Sequence, residues 1–266
     1  MSEQQQYSVA APAGASSPGG GPATARRAPA PVPSRAEAFA RLDMPLQEAM
    51  RTQRAIRRVL PDPVDDEIVL RCIELAQRAP TGQNGQQWQF VVVKDRRVKQ
   101  RLGRRYRQAW TLFYRTVYRR QADRDPAKAR LARAVQWQVD NFADIPVLVV
   151  ACLQLGAREG RVPALRMPHV AESGYWGSIY PGVQNLLLAA RAMGLGASLI
   201  TMPLWNLPSA RRILALPTDV TPVCVVPLGW PRGRYGPSGR TPVGEVTHLD
   251  GFGNRYWLEP TGDLKQ

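Results

Sequence analysis

The feature that most constrains the fold is the break at Pro80, followed by a polar loop and a hydrophobic run. Apolar residues at helical spacing from Ile68 to Ala79 predict a helix that Pro80 ends, because proline restricts the residue before it to extended geometry. The loop 81–87 contains two glycines and four side-chain amides but no charge. Such a loop suits a flat, uncharged ring that forms hydrogen bonds, although an ordinary helix-to-strand connection explains it equally well. The run Phe90–Val93 predicts a strand that is buried on both faces.

The length of 266 residues allows one large domain or two small ones, and a hydrophobic fraction of 44% is enough for a real core. We see neither an apolar run long enough to cross a bilayer nor a secretory signal, so we expect a cytoplasmic protein without a membrane span. Cys72, Cys152 and Cys224 lie far apart and predict buried, reduced thiols. With only two histidines in the chain, no metal site is expected.

Most of the net charge of +15 lies in one segment. Between Lys94 and Arg133 there are 15 Lys and Arg against three Asp. Such a segment is compatible with nucleic acid, an anionic membrane or a phosphorylated ligand, but a solvated surface is the default. We therefore expect no nucleic-acid partner.

Residues 96–145 are predicted to form a basic helical insertion. Aromatic and apolar residues at helical spacing fall on one face: Tyr106, Trp110, Phe113, Tyr114 and Val117. This face predicts a helix packed on the domain or a lid over a substrate pocket, with a membrane-surface helix as a third reading.

The chain divides into three parts. Residues 1–36 are predicted to be a disordered tail, because 22 of the 27 residues from Ser8 to Ser34 are Ala, Pro, Gly or Ser. Residues 37–250 form the domain. Residues 251–266 form an extension whose aromatic side chains are candidates for packing on a partner subunit.

Further elements follow from periodicity and from capping residues. Helices are predicted at 45–54, at 179–193 and at 207–214, and a further helix is predicted to begin after Asp62 as its N-cap. Strands are predicted at 147–153, 197–201 and 223–228. A loop is predicted at 156–172. Before the helix that begins after Asp62, Arg54, Arg57 and Arg58 form a cluster suited to phosphate, although such clusters are usually solvated surface.

Assembled in order, these segments resemble the FMN-dependent nitroreductase family over residues 45–257. Four segments carry the resemblance: Gln53–Arg58 with Pro61–Val64, Ala79–Val93, Gln184–Ala197, and Pro227–Pro231 with Arg240–Val246. The resemblance implies an α+β fold with a mixed or antiparallel sheet flanked by helices, in an interlocked homodimer that holds two FMN sites at its interface.

The resemblance also implies roles for individual residues. Arg54, Arg57 and Arg240, with Arg58, correspond to the group that holds the FMN phosphate. Thr201 is the candidate catalytic residue, as a donor near the flavin ring. The remaining positions implied to line the cofactor are Ala55, Pro80, Thr81, Asn84, Gln86, Tyr180, Pro181, Met202 and Gly229.

The implied activity is a ping-pong transfer of reducing equivalents from NAD(P)H through FMN to an electron-poor small molecule, such as a nitroaromatic or a quinone. The chain departs from the family pattern at Gln53, where arginine is common, at Ala55, where serine is common, and at Gln87, where proline is frequent. Two alternatives remain open. One is a reductive dehalogenase-type flavoenzyme, and the other is a non-catalytic module that binds nucleic acid or anionic membrane through residues 94–133.

Overall fold

The computed structural model describes residues 31–154, 168–233 and 236–257. The helices are α1 (Arg35–Ala40), α2 (Leu46–Thr52), α3 (Asp66–Ala76), α4 (Arg96–Phe113), α5 (Arg119–Arg124), α6 (Pro126–Asp140), α7 (Pro168–Gly177), α8 (Tyr180–Ala192), α9 (Leu207–Leu214) and α10 (Val243–Val246). The strands are β1 (Trp88–Val93), β2 (Val147–Gln154), β3 (Gly196–Ala197) and β4 (Val220–Gly229).

The four strands form one sheet in the order β1-β2-β4-β3, with antiparallel pairing throughout. This arrangement confirms the predicted α+β class. The central strands β2 and β4 are almost wholly buried. The prediction that Phe90–Val93 is buried on both faces is wrong, because β1 is an edge strand and Val92 is 38% exposed. A continuous apolar run does not distinguish an edge strand from a central one.

Helices cover both faces of the sheet. Side chains of β2 alternate between the faces, since successive residues of a strand point in opposite directions. Val147, Val149 and Ala151 join the core that packs against α3 and α8. Leu148 and Val150 join the core beneath α4, α6 and α9. The sheet is therefore the middle layer of the domain, and its edge strands are β1 and β3.

The three cysteines are buried and free, as predicted. Burial raises the pKa of each thiol to about 12, which keeps it protonated at neutral pH. In the described ranges, no helix is both long and apolar enough to cross a membrane.

The insertion at residues 96–145 packs an aromatic face on the sheet. Tyr106 and Trp110 are buried, and their side chains donate to Gln138 and Gln136. Val117 departs from the predicted face and is 50% exposed. The reason is a π-helical turn at Tyr114–Tyr118, which adds a residue to the turn and shifts the face.

Several element boundaries differ from the sequence prediction. Helix α1 begins at Arg35, inside the predicted tail, because Ser34 and Glu37 form a capping box. Asp65 caps α3 in place of Asp62, since Pro63 is held in an extended segment by a hydrogen bond from Trp230 Nε1 of 3.1 Å.

The predicted strand at 197–201 and the predicted loop at 156–172 also differ from the structure. The strand is reduced to Gly196–Ala197 and a single bridge between Ile200 and Val225. Helix α7 begins at Pro168, inside the predicted loop. The rest of that loop, residues 156–167, lies outside the described residues, as do residues 1–30 of the predicted tail and 258–266 of the extension.

Candidate functional site

One group of predicted site residues lies at the β3 edge of the sheet. We call residues 53–59, together with Arg240, the arginine segment. Its backbone is attached to β3 by a hydrogen bond from Ile56 N to Ala197 O of 2.8 Å. Two glycines allow this close approach: a Cβ on Gly196 would lie 2.7 Å from Ile56 Cγ2, and one on Gly229 would lie 3.0 Å from Val59. The sheet therefore fixes the path of the arginine segment.

Arg240 is brought to this edge from the far end of the chain. Ser238 N donates to Arg51 O at 3.1 Å, and Ser238 Oγ lies 3.3 Å from the same oxygen. Arg54, Arg58 and Arg240 are exposed, and none forms an ion pair within the described part of the chain. Three guanidinium groups without an ionic partner among the described residues place positive charge at this edge, which suits an anion.

Arg57 differs from its three companions because its side chain is half-buried. Its Nε atom is enclosed and has no hydrogen-bond partner among the described residues. Burial lowers the pKa of Arg57, and the nearby phenols of Tyr106 and Tyr118 oppose this shift. An enclosed donor without a partner is unfavourable, so Arg57 is the cation here that would gain most from an anionic ligand.

The other predicted residues of this edge are Ala55, Thr201, Met202 and Gly229. Ala55 is bridged to β3, and Gly229 is buried at the end of β4, where it contacts the arginine segment. Thr201 is exposed and its hydroxyl has no hydrogen-bond partner among the described residues, whereas Met202 packs on the core beneath α4. Thr201 therefore offers a donor to a ligand at this edge.

The second group lies at the opposite edge, just before β1. We call residues 80–87 the amide loop. Its backbone takes left-handed φ values at Gln83 (54°), Asn84 (53°) and Gln86 (51°). Side chains without a special local role rarely adopt this conformation, which costs of order 1–2 kcal/mol per residue. Three such residues among four give the loop a specific and locally strained backbone shape.

Internal hydrogen bonds hold the amide loop in this shape. Gln86 N donates to Thr81 Oγ1 at 3.1 Å, and Gln86 Nε2 lies 3.4 Å from Asn84 Oδ1. Asn84 Nδ2 and Gln86 Oε1 have no partner in the described residues, so this pair presents one donor and one acceptor. Pro80 is exposed, and Thr81 is half-buried.

Tyr180 and Pro181 belong with the amide loop, because Ser178 joins the start of α8 to it. Gly82 N donates to Ser178 Oγ at 3.0 Å. Tyr180 is half-buried, with its ring 5.8 Å from that of Trp176. Burial raises the pKa of Tyr180, so its phenol is neutral at physiological pH.

The structure does not bring the arginine segment and the amide loop together in one chain. Through the strand pairing, Trp88 at the end of the amide loop is level with Thr221 of β4, whereas Ala55 is level with Leu228. Seven residues of a strand span about 24 Å, and the two groups also lie at opposite edges of the sheet. Helix α8 runs from one group to the other and is itself about 18 Å long. The distance between the arginine segment and the amide loop within one chain is therefore greater than the length of one mononucleotide.

Sequence reasoning missed two residues that position this site. Ser238 anchors the segment that carries Arg240, and the signal available in the sequence was its place two residues before Arg240, between Pro237 and Gly239. Tyr106 lies beside Arg57, but no local pattern connects two residues so far apart in the chain. Arg234, in the same predicted loop as Arg240, lies outside the described residues.

Comparisons with known proteins agree with this fold. Residues 50–230 match the model of the nitroreductase family. The NADH dehydrogenase of Thermus thermophilus is 29% identical over 200 residues, covering 73% of this chain and 90% of that protein. The 5,6-dimethylbenzimidazole synthase of Rhodospirillum rubrum is 27% identical over 209 residues, covering 77% and 87%. The crystal structure of an oxidized iodotyrosine deiodinase bound to FMN and 3-iodo-L-tyrosine superimposes with a TM-score of 0.60 at 21% identity, covering 78% of this chain and all of that one.

Proposed function

Since the chain belongs to the nitroreductase family, it is a flavoprotein oxidoreductase, and we propose that its flavin is FMN. We further propose that it passes reducing equivalents from NADH or NADPH to an electron-poor small molecule, such as a nitroaromatic or a quinone. The observation that carries this proposal is the chemical division of the site. One edge of the sheet presents unpaired arginines, and the other presents neutral amides.

This division fits FMN, which is anionic at its phosphate and neutral at its ring. Arg54, Arg58 and Arg240 would hold the phosphate through charge-assisted hydrogen bonds, and Arg57 would supply the enclosed donor that has no partner. The free amide groups of Asn84 and Gln86 match a ring edge that has both acceptors and a donor. Ala55 leaves the phosphate without the hydroxyl that serine would offer, so the arginines carry this contact.

We propose that each cofactor site is completed by a second copy of the chain. One chain places its arginine segment and its amide loop too far apart to hold the same ligand. In a homodimer, the arginine segment of one subunit would face the amide loop of its partner. The exposed aromatic residues of the extension, among them Phe252 at 97% exposure, support a partner subunit because they leave apolar surface to be covered.

When bound, FMN supplies the hydride chemistry, and the protein supplies binding, orientation and electrostatics. The hydroxyl of Thr201 is available to donate a hydrogen bond to the ring, because it has no partner among the described residues. Tyr180 remains a neutral phenol at physiological pH and offers an aromatic wall on the amide-loop side. NAD(P)H and the acceptor would use the same pocket in turn, which gives ping-pong kinetics.

A visible spectrum of the purified protein tests this function. We expect a yellow protein with flavin absorption that bleaches under anaerobic addition of NADPH or NADH and returns when an acceptor is added. A protein that is colourless and also fails to bind added FMN would contradict the proposal. Proteins similar to this chain include a deiodinase and a synthase. The acceptors tested should therefore include halophenols as well as nitroaromatics and quinones.

A further inference from the structure

The outer surface of α4 carries a ridge of arginines that the proposed function does not use. Arg97, Arg101 and Arg104 recur at helical spacing and are exposed, and Arg115 is exposed eleven residues further on, in the π-helical turn that follows α4. At 100° per residue, Arg97, Arg101 and Arg104 lie directly opposite the buried stripe of α4. We call these four residues the arginine ridge. From Arg97 to Arg115 it is about 27 Å long, at 1.5 Å per residue.

No residue of the arginine ridge has an ion pair or a side-chain hydrogen bond within the described part of the chain. Neighbouring arginines on the flanks of α4 are used differently. Arg96 pairs with Asp144 at 2.7 Å, and Arg107 pairs with Asp140 at 3.2 Å. Residues 96–122 contain ten Lys and Arg and neither Asp nor Glu, so the local sequence offers the ridge no compensating charge.

The fold does not need the ridge. Like charges three and four residues apart on a helix repel each other and destabilise it, so the spacing of Arg97, Arg101 and Arg104 works against α4. The packing of α4 rests on the other face, through Leu102 and Tyr106. The ridge is therefore free to contact a partner beyond the described part of the chain.

The structure favours a polyphosphate over a membrane as that partner. A helix that lies in a membrane interface buries an apolar face in the lipid, but the apolar face of α4 is already buried in its own domain. Apart from Leu112, which is 62% exposed, the outer face of α4 carries polar and charged side chains, and its forked guanidinium donors suit phosphate oxygens. Twelve of the 15 basic residues between Lys94 and Arg133 are arginine.

We propose that the arginine ridge binds the phosphate backbone of a nucleic acid, at a surface separate from the cofactor site. The ridge is as long as about eight base-pair steps of 3.4 Å. Contacts of this kind read no sequence, so binding should be non-specific and strongly dependent on salt. This proposal departs from the expectation that the basic segment is only a solvated surface.

Fluorescence anisotropy with short labelled DNA and RNA duplexes tests the proposal. The ridge variant carries Arg97→Gln, Arg101→Gln and Arg104→Gln. The control variant carries Arg35→Gln, Arg78→Gln and Arg212→Gln, exposed arginines elsewhere, and removes the same charge. We expect the wild-type protein and the control variant to bind. The plot of log K against log salt should be less steep for the ridge variant by about 2.7, because each of the three lost phosphate contacts reduces the magnitude of the slope by about 0.9.

Three results would overturn the proposal: no binding by the wild-type protein, equal losses in the ridge and control variants, or binding to anionic phospholipid vesicles but to neither duplex. If the triple ridge variant does not fold, the single change Arg101→Gln gives the same test with an expected slope change of about 0.9. The flavin spectrum should be unchanged in every variant, so a failure here is distinguishable from a failure of the proposed oxidoreductase function.

Discussion

The arginine segment and the amide loop are built in different ways, although both are proposed to hold one cofactor. The arginine segment is fixed by backbone hydrogen bonds to the sheet and by close contact with two glycines. The amide loop is fixed by side-chain hydrogen bonds, including one to Ser178, by the backbone bonds of its own turn and by three left-handed residues. The first arrangement places charge on a rigid frame, and the second shapes neutral groups locally. Substitutions in the two regions should therefore have effects that differ in size and in kind.

The largest effect is expected from the arginine segment. The double variant Arg54→Ala with Arg240→Ala removes two charged donors, and each hydrogen bond from such a donor contributes roughly 1.5–3 kcal/mol to binding. We expect FMN affinity, measured by quenching of flavin fluorescence, to fall at least about a hundredfold, at 1.4 kcal/mol per tenfold. Riboflavin, which has no phosphate, is the control ligand and should bind the variant as it binds the wild-type protein. Unchanged flavin content in the double variant would show that our phosphate assignment is wrong.

An intermediate effect is expected from the amide loop. Asn84→Ala or Gln86→Ala removes a neutral hydrogen bond of about 1 kcal/mol, which corresponds to a roughly fivefold loss of affinity. Because the lost contact is to the ring, FMN and riboflavin should weaken equally. Gln83→Ala is the matched control, since Gln83 is an exposed amide in the same loop with a similar φ. A loss confined to FMN would place the amide loop at the phosphate and reverse our assignment of the two regions.

The smallest effects concern the two serines that support the regions. Ser178→Ala removes the acceptor of the Gly82 amide, so we expect this amide to exchange hydrogen faster. FMN affinity should fall by less than about fivefold, because this hydrogen bond of about 1 kcal/mol supports the loop and does not touch the ligand. Ser238→Ala keeps the backbone hydrogen bond to Arg51 and should change little. Hydrogen exchange followed by mass spectrometry measures both variants. If hydrogen exchange became faster by the same factor in both variants, our distinction between support by a side chain and support by the backbone would be wrong.

The sequence was sufficient for the elements whose signals are local. Periodicity placed α9 at Leu207–Leu214 and the central strands β2 and β4 within three residues at either end. It could not show that β1 is an edge strand, because edge and central strands can share the same apolar run. It also could not place the π-helical turn at Tyr114–Tyr118, because the inserted residue has no local signature.

The candidate site was predictable as a set of residues but not as a geometry. The resemblance named the arginines and the amides, yet only the pairing order of the strands shows that they lie at opposite edges of the sheet. Arg57 interacts electrostatically with Tyr106 of the insertion, nearly 50 residues away in the chain, and long-range contacts of this kind have no sequence signal. The predicted roles of the individual site residues remain predictions for the experiments above.

Mixed dimers test the central claim most directly, namely that one cofactor site is built from two chains. Two differently tagged variants, Arg54→Ala with Arg240→Ala and Asn84→Ala with Gln86→Ala, are co-expressed and purified as the heterodimer. If each site joins the arginine segment of one chain to the amide loop of the other, one site of the heterodimer is intact and one carries both defects. We predict one FMN of wild-type affinity per heterodimer, while both variant homodimers bind weakly. A heterodimer in which no site recovers wild-type affinity would contradict the account.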